Sequence, residues 1–139
     1  MTAENKLLWT ADDGSLGFGN FTLDQKTKQG DFSFQGDIYK VKSFKEITKL
    51  EKNDLFVFES VPGCIVKNFV VDEDVVSFDA YGRSDVYFTI AMEMNSEYEI
   101  FLGGNSTGMQ STNFSGKLSF SAELSEDVAL DVKIVKSVS

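Results

Sequence analysis

Twenty-two carboxylates dominate the reactive side chains of this 139-residue sequence, and the groups that usually work beside them are scarce. There is no histidine, one arginine (Arg83) and one cysteine (Cys64). A Ser-His-Asp triad, a Cys-His pair and a histidine-bearing zinc site therefore cannot be built from this chain alone. Two carboxylate chemistries remain. Paired acids hydrolyse glycosides without histidine, but with so many acids the sequence singles out no pair. Acidic runs also offer the oxygen ligands that calcium takes. Asp12-Asp13-Gly14 is one such run, and Asp72, Glu73 and Asp74 are the residues to name as calcium candidates. Neither run has EF-hand spacing, and acidic surface turns have this composition routinely, so the sequence calls for no metal and no cofactor.

Cys64 opens an apolar run, Cys64-Ile65-Val66, with no basic neighbour in sequence to stabilise a thiolate. It reads as a small buried hydrophobe. The aromatics suggest binding chemistry instead. Trp9, Tyr39, Tyr81 and Tyr87 could stack on sugar rings, and Arg83 could hold a polar ligand group beside them. The candidate ligand-binding residues are thus Trp9, Tyr39, Tyr81 and Arg83. The 13 phenylalanines have no polar handle and are expected in the core.

With a net charge of −9, the chain should repel nucleic acid and anionic membranes. Lysines do cluster at Lys40, Lys42, Lys45, Lys49 and Lys52. Alternation at Lys40 and Lys42 reads as the solvated face of a strand pair.

The elements that must position these residues are strands. Period-two alternation recurs along the chain, and turn residues follow every eight to twelve positions in its second half. Strands are expected at residues 54–60, 65–71, 75–81, 86–92, 97–102, 117–124 and 129–135. Phe56, Phe58, Phe69, Phe78, Phe88, Ile90, Ile100, Leu118, Phe120, Leu130, Val132 and Ile134 should face the core. A short strand is expected over 17–23, and a loop or single turn over 24–30. Two readings fit 43–52. Ser43 to Glu46 matches a helix capping box, whereas Asn53-Asp54 would close a β-hairpin between 47–52 and 55–59. The hairpin suits the β-branched and aromatic content better, and a helix there would be too short to be stable alone.

Eight to ten short strands without a long amphipathic helix predict an all-β, antiparallel β-sandwich or jelly-roll-like fold. One compact domain should span 1–139, with 1–62 and 63–139 as the only natural half-units, divided at Pro62-Gly63.

Several segments together resemble a family of small Firmicutes proteins that often carry the label "endosialidase". They are Leu8-Trp9-Thr10, Asp37 through Glu51, Phe58 through Gly63, and Thr112 through Leu118. The resemblance covers most of the chain. The activity in that label needs several arginines to grip a sialic-acid carboxylate, and this chain has one, so no catalytic residue is carried over. From Tyr98 through Ile134 the chain is also loosely similar to the non-catalytic β-sandwich modules of polysaccharide-degrading enzymes.

The expected function is a non-catalytic β-sandwich acting by protein–protein association, with copies of itself as a homo-oligomer or with another protein. The alternatives are a carbohydrate-binding accessory module and a carboxylate-based glycan hydrolase. Met1 to Lys6 has no apolar signal-peptide core, and no apolar run reaches membrane-spanning length. The expected location is cytoplasmic, with export by a route lacking a signal peptide left open.

Overall fold

The computed structural model describes residues 7–137. Met1 to Lys6, where a signal-peptide core was sought, lies outside the described residues. Within them the chain forms thirteen strands. They are β1 (Leu8–Thr10), β2 (Leu16–Phe18), β3 (Thr27–Phe34), β4 (Asp37–Phe44), β5 (Ile47–Lys52), β6 (Leu55–Val61), β7 (Ile65–Val71), β8 (Val75–Tyr81), β9 (Asp85–Ala91), β10 (Glu97–Leu102), β11 (Asn105–Ser111), β12 (Lys117–Glu123) and β13 (Leu130–Lys136). No described segment is a helix, so none is long and apolar enough to cross a membrane.

Two antiparallel sheets make a β-sandwich. Sheet A runs β1-β2-β7-β8-β13-β10-β11, and sheet B runs β12-β9-β6-β5-β4-β3. The first half of the chain lays down a meander, β3 to β6, in sheet B. After β8 the chain crosses repeatedly between the sheets, so that β13 lies between β8 and β10 while β12 pairs with β9. Strands on either side of Pro62-Gly63 pair with each other in both sheets, as β2 does with β7 and β6 with β9. The two halves therefore interlock within one compact domain.

Alternation sets which residues fill the space between the sheets. Phe58, Phe78 and Phe88 are buried and meet edge-on or tilted at centroid separations of 5.5–5.6 Å. Phe18 and Phe69 extend this stack at 5.3 Å. Of the expected core residues, ten are buried, while Phe56 and Leu130 are not. Phe56 is displaced by a register shift: Glu51 pairs with Phe56 but Leu50 pairs with Phe58, leaving Val57 as the extra residue of a bulge. One inserted residue reverses facing, so Phe56 turns outward beneath the Lys117 ammonium, 4.7 Å from its ring centroid. Leu130 starts β13 and only partly packs against the core.

Residues 47–52 form the hairpin arm, with Ser43 and Phe44 closing β4 before it, and Asn53 (φ 52°) and Asp54 (φ 66°) both take the left-handed conformation of a two-residue turn. Three expectations are corrected. Residues 17–23 do not form a continuous strand, because β2 ends at Phe18 and the chain turns away after Gly19 (φ 93°). Residues 27–30, read as loop, open the edge strand β3, whose outward Lys28 and bulged Asp31 (φ 54°) hide the alternation. Strand β11 was missed altogether. Its sequence, Asn-Ser-Thr-Gly-Met-Gln-Ser, has no apolar face; it pairs with β10, and the Gln110 amide donates to the Ser119 carbonyl of β12.

Candidate functional site

The candidate aromatics do not meet on one platform. Trp9 lies on the outer face of sheet A, opposite Gly17 in register. A Cβ on Gly17 would stand 2.2 Å from the indole, so the ring rests directly on bare glycine backbone. Tyr81 is also on the outer face of sheet A, with the Lys67 ammonium 5.1 Å from its ring centroid. Tyr39 points inward and packs against the core, and burial raises its pKa. Tyr87 lies on the opposite side of the molecule, on the outer face of sheet B. Arg83 sits in the β8–β9 turn, stacked over Phe21 at 5.4 Å and 3.8 Å from Glu126.

The carboxylate chemistries are equally dispersed. Asp72, Glu73 and Asp74 are exposed in the β7–β8 turn, where Asp72 accepts a hydrogen bond from the Glu73 N–H at 2.8 Å. Among the described residues no three acids or cysteines gather closely enough to hold a metal ion. A cleft of about 300 Å³ opens at one end of the sandwich between Phe34, Tyr39 and Phe69, with Asp13 as its one carboxylate. The Ser15 hydroxyl and N–H, at 2.6 and 3.0 Å, hold Asp13 below the usual carboxyl range, the opposite of a proton donor. A second hollow, of about 360 Å³, contains Asp85 and Glu123, directly paired across β9 and β12. Both are exposed to solvent.

Cys64 is fully buried, its thiol pushed up to about 12 by desolvation. The Ser60 hydroxyl donates to its sulfur at 3.1 Å, and Thr48 Oγ1 bridges its N–H and carbonyl at 3.1 Å each. This is a satisfied polar knot inside the core, with no thiolate nucleophile at neutral pH.

The outer face of sheet B is organised differently. Register places one residue from each strand in a straight row: Lys28, Lys42, Lys49, Glu59, Thr89 and Ser119. Three ammonium groups thus stand on directly opposed positions of adjacent strands, an arrangement that destabilises a sheet. Compensation is partial. Lys49 reaches Glu51 at 3.7 Å, and Lys40 reaches Glu51 at 3.3 Å and Asp54 at 3.6 Å. Those hydrogen-bonded acids hold the Lys40 pKa above its usual value. Lys28, Lys42 and Glu59 make no ion pair among the described residues. A shallow hollow of about 140 Å³ lies among Lys28, Lys40, Lys42 and Lys49.

A second row runs alongside. Phe44 pairs with Ile47, and Ile47 adjoins Val61, since Thr48 and Ser60 pair one step along. Val61 pairs with Tyr87. Phe44 and Ile47 are half-buried, while Val61 is 49% and Tyr87 54% exposed. Four apolar side chains therefore cross four adjacent strands on a surface that no other layer among the described residues covers.

Of this face, the sequence reading found the lysine cluster and Tyr87. It missed Lys28, Phe44, Ile47, Glu59 and Val61 as a unit. Alternation told which way most of these residues point. The row they form exists only once the strand register is known, and no single stretch of sequence encodes it. No family model, no curated protein and no solved structure matches the chain.

Proposed function

We propose that this protein is a non-catalytic β-sandwich that works by association with another protein surface, through the outer face of sheet B. The observation that carries this reading is the apolar row Phe44, Ile47, Val61 and Tyr87 lying beside the lysine row. Protein interfaces combine an apolar and aromatic centre with a polar, charged surround, and this face has both. Its exposed Val61 and Tyr87 have no evident work in the isolated fold.

Size measurement of the purified chain, together with whatever accompanies it, tests the reading. The expected result is a species larger than one chain that Val61→Asp reduces to a folded monomer. A wild-type chain that stays strictly monomeric at high concentration, with nothing co-purifying, overturns it.

A further inference from the structure

The rows on sheet B have a property that identifies the partner. Sheet B has six strands, so its centre lies between β5 and β6. A two-fold axis placed there, parallel to the strands, would set two such faces against each other with every row meeting itself in reverse order. Lys49 would then face Glu59 of the second copy, and Ile47 would face Val61 of the second copy. Phe44 would face Tyr87, Lys42 would face Thr89, and Lys28 would face Ser119, each contact occurring twice. In these two rows cations meet an acid or hydroxyls, apolar groups meet apolar groups, and no ammonium meets an ammonium; in the next row Glu51 would face the ring of Phe56.

We infer that the occupant of this face is a second copy of the chain, joined as an isologous dimer with Lys49 and Glu59 as its reciprocal charged pair. The inference rests on the association reading and narrows it to one partner. Closed two-fold pairs need a self-complementary patch, which is what this register supplies. Glu59 has no ion-pair partner within its own chain among the described residues, and the dimer gives it one. An axis along the strands keeps the central strands of the two copies near parallel, within the roughly 30° of aligned sheet packing. Twist separates the corners of the two faces, so contact should be tightest at the centre, where Ile47, Lys49, Glu59 and Val61 sit.

The dimensions set the strength. Five strand spacings of about 4.8 Å by roughly 20 Å of strand give about 500 Å² per copy, or about 1,000 Å² in all. That is near the low end for specific pairs, roughly 1,200 Å², so a weak and reversible dimer is expected. The net charge of −9 on each copy opposes approach. Near-physiological salt screens that repulsion beyond about 8 Å while leaving the contacts.

Sedimentation velocity over about 10 μM to 1 mM chain, in about 0.15 M NaCl, tests the inference. The wild type should move reversibly from monomer to dimer. Lys49→Glu alone and Glu59→Lys alone should each weaken dimerisation about tenfold or more, and the double swap should recover most of the loss. Circular dichroism checks the fold of each variant, and Tyr87→Asp, at a half-exposed position, gives a second break if a swap perturbs the sheet. A dimer indifferent to both swaps and to Tyr87→Asp places the interface elsewhere and overturns the inference. A monomeric wild type carrying a different protein, released by Val61→Asp, also overturns it but leaves the association reading standing. A monomer with no companion removes both.

Discussion

The two outer faces of the sandwich carry the same kinds of residue and put them to different use. On sheet A, Trp9 covers Gly17 and Tyr81 lies under Lys67. Opposed acids occur there too, since Asp79 pairs directly with Asp131. Yet Asp79 accepts a hydrogen bond from Asn68 at 2.7 Å and lies across from Lys67. Among the described residues, the aromatic and charged groups of that patch other than Asp131 and Lys133 are thus engaged by a neighbour. On sheet B, Tyr87 and Val61 stand half exposed, and Lys28 and Lys42 oppose each other without an acid. A surface that has already spent its reactive groups is maintaining the fold, and one that has not is available to something else. This contrast, rather than the number of aromatics, separates the two faces.

The largest effect should come from Gly17→Val. Its side chain would occupy the space of the Trp9 indole and drive it off the sheet, costing about 1–3 kcal/mol in chemical denaturation. An unchanged midpoint would mean that Trp9 is not engaged with the sheet, and the contrast would weaken.

A matched pair sharpens the point. Trp9→Ala uncovers the Gly17 backbone and the apolar rim around it. As Trp9 is only part-buried, about 1–2 kcal/mol is expected, less than a fully buried ring would lose. Tyr87→Ala removes a ring that touches mainly water, so stability should stay within about 0.5 kcal/mol. The effects should reverse for self-association, which Tyr87→Ala weakens and Trp9→Ala leaves alone. Equal stability losses would show that both rings serve the fold.

These differences also mark what was legible in the sequence. Alternation is a local property, so β7, β8 and β10 were read at their observed limits, and Phe58, Phe78 and Phe88 were placed inside. The turn at Asn53-Asp54 was legible because both residue types accept positive φ. Where one extra residue enters a ladder, local reading fails, as at Val57, which sends Phe56 outward. Where backbone pairing and polar side chains hold a strand, as in β11, no apolar signal exists to find. The candidate site belongs to neither class. Lys42 and Lys49 were visible as a cluster, but Lys28 and Glu59 join them only through a register that spans four strands.

Lys42→Glu probes the smallest of these effects and the physical basis of the contrast. The substituted acid would stand between Lys28 on one side and Lys49 on the other, turning two repulsive cross-strand pairs into two attractive ones. Each such pair is worth roughly 0.2–1 kcal/mol, and exposure to solvent puts the expected gain near the lower end, about 0.5 kcal/mol at low salt. The gain should fade towards about 1 M salt, where the Debye length is only about 3 Å. Asp131→Lys makes the corresponding change on sheet A, beside Asp79. Because Asn68 and Lys67 already attend Asp79, its gain should be smaller than that of Lys42→Glu. Urea denaturation of both variants at low and high salt decides the matter. A salt-sensitive gain confined to Lys42→Glu means that sheet B alone holds its charges unrelieved. Equal gains would mean that the two faces are equally strained, and the lysine row would lose its claim to be anything more than a solvated surface.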